Sequence, residues 1–157
     1  MKLPDDFRDL LVHLADAGAD FIVVGGHAVA RHGHVRATKD IDVLVRPDAD
    51  NATRVMQALA TFGAPLRALG VDVADLSRPG QVVQLGVLPL QTDAITSLSS
   101  VSYQEAVIDP DTPVVDGRPV RVVGLEALLK NKRASGRAQD LADIDALERV
   151  RSKTRRS

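Results

Sequence analysis

The segment Asp40-Ile41-Asp42-Val43-Leu44-Val45 sets two carboxylates one residue apart inside a strongly apolar run. On a β-strand alternate side chains share a face, so Asp40 and Asp42 project together while Ile41, Val43 and Val45 point into a core. Two rises of ~3.3 Å separate the two Cα atoms by ~6.6 Å. At an effective dielectric of ~20 and a separation of ~5 Å, two negative charges repel by roughly 3 kcal/mol, and a bound divalent ion reverses the sign of that interaction. The plainer alternative is a strand with one solvated face that tolerates acidic residues.

The flanking sequence favours the ion. Phe21-Ile22-Val23-Val24, β-branched at three positions, runs into Gly25-Gly26 and then His27-Ala28-Val29-Ala30-Arg31, which suits a helix. A strand that turns through two glycines into a helix start offers free backbone N–H groups to an anion, and the missing Cβ atoms let a phosphate come close. One short stretch thus provides a phosphate cradle and a site for the divalent ions that accompany phosphates. Chemistry there needs a third carboxylate as general base. Asp93, in Leu90-Gln91-Thr92-Asp93-Ala94-Ile95-Thr96, is the best placed. It follows the apolar run Val82-Val83-Gln84-Leu85-Gly86-Val87-Leu88, and two strands joined through Pro89 carry it back toward Asp40 and Asp42. By position alone Asp93 reads equally as a turn or edge residue.

The order Gly25-Gly26, thirteen residues, Asp40-Ile41-Asp42 and a later strand Asp93 resembles the signature of the nucleotidyltransferase superfamily, whose fold is shared with DNA polymerase β. The run from Val122 to Lys132, followed by Arg137 and Asp140-Leu141-Ala142-Asp143-Ile144, is similar to the C-terminal helical segment of small bacterial nucleotidyltransferase-like proteins, including relatives of AbiEii-type toxins. The likeness extends from about Phe21 to Leu147. It departs at Gln91, where such relatives often carry a basic residue two positions before the third carboxylate.

The resemblance implies transfer of a nucleoside monophosphate from an NTP, such as ATP, to a hydroxyl on a small molecule, RNA or protein. It implies two Mg²⁺ ions held by Asp40, Asp42 and Asp93, with Asp93 also the general base. Pyrophosphate then leaves toward the N–H groups of Gly25 and Gly26. Lys132 and Arg137 are candidates for triphosphate contact, since a helix packed near the strand ends aims them at the site. Their plainer alternative is a solvated helix face formed with Lys130 and Arg133, where Arg137 and Asp140 at i, i+3 add only ~0.2–0.5 kcal/mol. Asp140 and Asp143 read as orienting cations or capping structure rather than binding metal. A toxin with a cognate protein partner is a special case of this reading. A second reading is an inactive module of the same fold that binds nucleotide or a partner, as an antitoxin does. A third is a zinc-dependent hydrolase built on His27, His32 and His34.

Length suits one domain, which buries about 68–70% of its unfolded surface. Apolar residues make up 45% of the chain and aromatics 3%, so the core is built from Val, Leu, Ala and Ile. The same scarcity argues against an aromatic platform for single-stranded nucleic acid. Without cysteine there is no disulfide framework and no thiolate metal site, and a cytoplasmic location is expected. Met1-Lys2-Leu3-Pro4-Asp5-Asp6 is acidic where a secretory signal turns apolar, and no run approaches the ~20 apolar residues of a membrane span. Residues 149–157 hold five cations and no anions within a chain of net charge -1.

Phe7, Leu10, Leu11 and Leu14 at helical spacing predict a helix ended by Gly18. Asp48 or Asp50 is expected to cap a helix presenting Val55, Leu59 and Phe62 and stopped by Gly63. Residues 64–80 carry no clear pattern. A short helix is expected near residues 103–107, and a hairpin turn at Asp116-Gly117 between Pro113-Val114-Val115 and the run from Pro119 to Val123. Two helices, about 124–134 and 138–149, close the chain, the second burying Leu141, Ile144 and Leu147. The expected whole is a single α+β domain over residues 1–150, a mixed sheet flanked by helices with a helical C-terminal segment. A basic, disordered tail over 151–157 follows it.

Overall fold

Phe7, Leu10, Leu11 and Leu14 are all buried on α1 (Asp5–Asp16). Gly18, at φ +70°, ends that turn by a bond from its N–H to the Ala15 carbonyl. The fold is taken from a computed structural model that describes residues 1–86 and 91–156. Val87, Leu88, Pro89 and Leu90, expected to join two strands, lie outside the described residues.

After α1 come β1 (Phe21–Val24), α2 (Gly25–Arg31), β2 (Asp40–Val45) and α3 (Ala49–Phe62). Asp48 is the α3 N-cap, accepting from the Asn51 N–H at 2.8 Å, and Gly63 closes the helix in the left-handed region. The stretch without clear pattern forms α4 (Leu66–Leu69) and α5 (Val73–Ser77). A reciprocal capping box between Asp72 and Asp75 starts the latter. β3 (Val82–Leu85), β4 (Gln91–Ile95) and α6 (Tyr103–Ala106) follow. The hairpin β5 (Val114–Val115) and β6 (Arg118–Pro119) turns through Asp116 and Gly117, both at positive φ. Its second arm continues in the same register, with the Val120 N–H donating to the Pro113 carbonyl and Val122 pairing antiparallel with Asp111, and the other edge of this arm runs along β1. There the Val23 N–H donates to the Arg121 carbonyl and the Val123 N–H to that of Val23, which covers the β1 edge. The helices α7 (Leu125–Ser135) and α8 (Ala138–Arg156) complete the chain.

Among the described residues the main sheet has the order β1-β2-β4-β3, with β2 and β4 parallel and the two outer pairings antiparallel. It is the expected mixed sheet, and helices pack around it. Val43, Leu44 and Val45 are all buried, so β2 is covered on both faces at its end and open only where Asp40 and Asp42 stand. The core is made of Val, Leu, Ile and Ala, with Phe7, Phe21 and Tyr103 as its aromatic members.

α8 departs from expectation in phase and length. Leu141, expected inside, is 57% exposed, and the inner face carries Asp140, Asp143 and Leu147. The rotation follows from charge: Lys132 on α7 and Arg36 before β2 both reach Asp143. The helix runs to Arg156 rather than ending near 149. Arg151 bonds Glu148 and Glu126, each at 2.6 Å, and Val150 packs where a Cβ on Gly33 would sit. No helix among the described residues is long and apolar enough to cross a membrane.

Candidate active site

Parallel pairing of β2 with β4 puts Asp42 directly beside Asp93. In parallel strands register partners face the same side, so the two carboxyls meet, and Asp40 stands on that face one pleat away. Burial pushes Asp42 up to about 7, helped by the hydrogen bond to Asp93 and by the charges of Asp93 and Asp40, against a smaller opposing pull from Arg137. Burial also raises Asp93, and the charge of Asp40 adds to it. Each carboxyl, once ionised, therefore makes the other harder to ionise. Asp93 Oδ1 is buried with no hydrogen-bond partner. Gln91, the departure from the family pattern, is the register partner of Asp40, so that carboxylate has a neutral amide beside it.

The glycine pair makes this packing possible. Gly25 sits at φ +69°, and a Cβ there would collide with Asp42 Oδ2 and lie 3.0 Å from its Cγ. A Cβ on Gly26 would lie 2.7 Å from Thr38 Cγ2 in the segment leading into β2. The first turn of α2 is thus pressed directly against the acidic strand.

These carboxylates suit a hard cation in chemistry: oxygen donors, one of them buried without a partner, and mutual repulsion that a positive charge relieves. What the fold preorganises is the pair. Among the described residues no three His, Asp or Glu side chains converge into a ready-made metal cage.

A cleft of about 400 Å³ opens in front of Asp42. Gly25 and Asp42 form one side, Val82, Ile95 and Leu98 an apolar wall, and Asn131, Lys132, Ser135, Arg137 and Asp140 the far side. The expected cations behave differently from each other. Arg137 is 80% exposed, lines the cleft with Asp42, and is held by Asp140 Oδ2 at 2.9 Å from Nε. Lys132 is only 5% exposed, so it is no part of a solvated face; its Nζ lies 2.9 Å from Asp143 and 3.2 Å from Asp140. Lys130 and Arg133 do form the outer face, paired with Glu105 and Glu148. Asp140 and Asp143 orient cations, as expected. Burial works to raise Asp143, yet bonds from Arg36 and Lys132 outweigh it and hold the carboxyl at about 2.

The three histidines do not assemble. His32 Nε2 is 2.7 Å from the Val123 carbonyl, and the His27 ring stands edge-on to Phe7 at 5.6 Å. The zinc centre of the third reading is therefore not formed among the described residues. Conversely, Ser97, Ser99 and Asn131 line the cleft without any sequence signal, since isolated neutral polar residues carry no periodicity.

This mixed sheet and its helices form the nucleotidyltransferase fold. ANT(2'')-Ia, an antibiotic-resistance factor, superposes in its solution structure at a TM-score of 0.54 and 16% identity, over 96% of this chain and 89% of its own. Its crystal structure with adenylyl-2''-tobramycin gives 0.54 and 14%, over 96% and 97%. An antigenic nucleotidyltransferase-like protein from Paracoccidioides brasiliensis gives 0.52 and 22%, over 92% and 77%. No protein-family model matches the sequence.

Proposed function

We propose that this protein is a nucleotidyltransferase that moves a nucleoside monophosphate from an NTP to a hydroxyl acceptor, with Mg²⁺ held by Asp40, Asp42 and Asp93. The observation that carries the reading is the register of Asp42 on Asp93, with Asp42 lining a cleft that Arg137 also lines. ANT(2'')-Ia supports it at the level of reaction type, because its complex carries an adenylyl group on tobramycin and its fold is this one.

Bound Mg²⁺ supplies Lewis-acid polarisation of phosphoryl oxygens and makes an acceptor hydroxyl more acidic. The chain does the rest. Asp42 and Asp93 act in their anionic form, whose oxygens would suit the metal. Asp93 receives the acceptor's proton on a carboxylate oxygen as the hydroxyl attacks the α-phosphate. Arg137 presents a planar fork to phosphate oxygens and offsets the charge that builds on departing pyrophosphate. Val82, Ile95 and Leu98 give the nucleoside an apolar wall without an aromatic stack. A cleft of about 400 Å³ falls in the size range of small-ligand sites.

Release of pyrophosphate from labelled ATP, CTP, GTP and UTP, with and without Mg²⁺, tests the proposal. We expect Mg²⁺-dependent release with one of these nucleotides, abolished by Asp42→Ala. Failure of every NTP to bind at any Mg²⁺ concentration removes the reading, and tight binding without turnover points instead to the inactive binding module.

A further inference from the structure

Five charged side chains form one continuous cluster that reaches the cleft through Lys132, Asp140 and Arg137. Arg36 donates to both oxygens of Asp143, Nε to Oδ1 at 2.8 Å and Nη2 to Oδ2 at 2.9 Å. Lys132 Nζ bridges Asp143 and Asp140. Asp140 in turn accepts from Arg137 at both its backbone N–H, 3.2 Å, and its Nε, 2.9 Å. Asp143 is fully buried and Asp140 is 2% exposed. Gln139 completes the shell around Asp143 Oδ1 at 3.0 Å.

The two ends of this cluster are the informative part. Arg36 lies four residues before Asp40, in the segment whose Thr38 packs on Gly26. Arg137 lines the cleft together with Asp42. Holding α7 against α8 does not require ions: apolar replacement of a buried ion cluster is commonly neutral or stabilising. Here an apolar neighbour, Leu141, is turned outward while Asp140 and Asp143 are turned in. Three cations against two carboxylates also leave one positive charge in excess, and the exposed member of the cluster is Arg137.

We propose that Asp143 is a positioning residue for nucleotide binding: by clamping Arg36 and Lys132 it fixes Asp140, and Asp140 sets Arg137 over the cleft beside Asp42. This rests on the nucleotidyltransferase reading above. Asp140 engages the stem-side Nε of Arg137, which leaves the two terminal amino groups of the fork for phosphate oxygens. Losing Asp143 frees Lys132 to draw Asp140 away from Arg137, so its effect on nucleotide passes through Arg137.

The test is a double-mutant cycle on NTP affinity, measured by titration calorimetry with each of the four NTPs and Mg²⁺. Asp143→Asn and Arg137→Ala are each expected to weaken the tightest-binding NTP about tenfold, ~1.4 kcal/mol. The double variant is expected to bind no more weakly than Arg137→Ala alone, and Asp143→Glu to recover part of the loss. A purely structural role moves the melting temperature without this coupling. Additive losses, about a hundredfold in the double variant, overturn the proposal while the functional reading stands. If the wild-type protein binds no NTP, the functional reading falls and this inference falls with it. Should Asp143→Asn not fold by circular dichroism, Arg36→Gln takes its place in the cycle with the same expected coupling to Arg137→Ala.

Discussion

Gly25 is the residue at which backbone and candidate site come closest. Its positive φ and the collision awaiting any Cβ make it intolerant on two separate grounds. Gly25→Ala is expected to cost roughly 1–3 kcal/mol in urea unfolding and to displace Asp42, lowering pyrophosphate release by roughly a hundredfold or more. Asp42 carries the opposite balance, since its folded pKa is raised and the native state holds more protons than the unfolded one between about pH 4 and 7. Stability from this group therefore falls as pH rises through that window. Asp42→Asn is expected to stabilise the protein at pH 8 by roughly 1–3 kcal/mol, discounted for its partial exposure, while removing turnover. Thermal melts at pH 5 and pH 8 check this, with the gain confined to the higher pH. The acidic residues were legible because alternation along one strand displays them. Burial of Lys132 was not, because it depends on Asp140 and Asp143 turning inward and on Arg36, 107 residues from Asp143.

At the scale of elements, α8 shows why apolar periodicity can mislead. Leu141, Ile144 and Leu147 make a good helical stripe, and Leu147 is buried with Ile144 packed against the core, yet Leu141 is turned out while Asp140 and Asp143 are turned in. Hydrophobic matching loses here to counter-charges that sequence spacing does not reveal. Asp143→Ala leaves Arg36 without its carboxylate and Lys132 with Asp140 alone, and is expected to cost roughly 3–5 kcal/mol. Leu141→Ala is expected to stay within about 0.5 kcal/mol. Chemical denaturation of the two variants side by side decides which phase is correct. The elements with strong local punctuation were readable for plain reasons. α1 has four buried residues at i, i+3, i+4, i+7, and α3 has a capping Asp48 and a terminating Gly63. α4 and α5 are too short for a period to emerge, and no local signal shows that the hairpin arm toward Val123 also pairs with β1.

For the molecule as a whole, the α+β class and mixed sheet followed from alternating strands and helices, but strand order did not. Nothing local states that β4 inserts between β2 and β3, and that insertion is what brings Asp93 to Asp42. Folding order follows from the same arrangement. β1 and β2 are near neighbours along the chain, as are β3 and β4, whereas β2 and β4 join segments about fifty residues apart. Among the four strands their pairing closes the longest loop, and it presses two like charges together. Above pH 7 the protein must therefore fold against its own chemistry. Stopped-flow refolding at pH 8 is expected to be faster for Asp42→Asn than for the natural chain, with the difference vanishing near pH 5. The contact that makes the site thus needs both halves of the sheet in place.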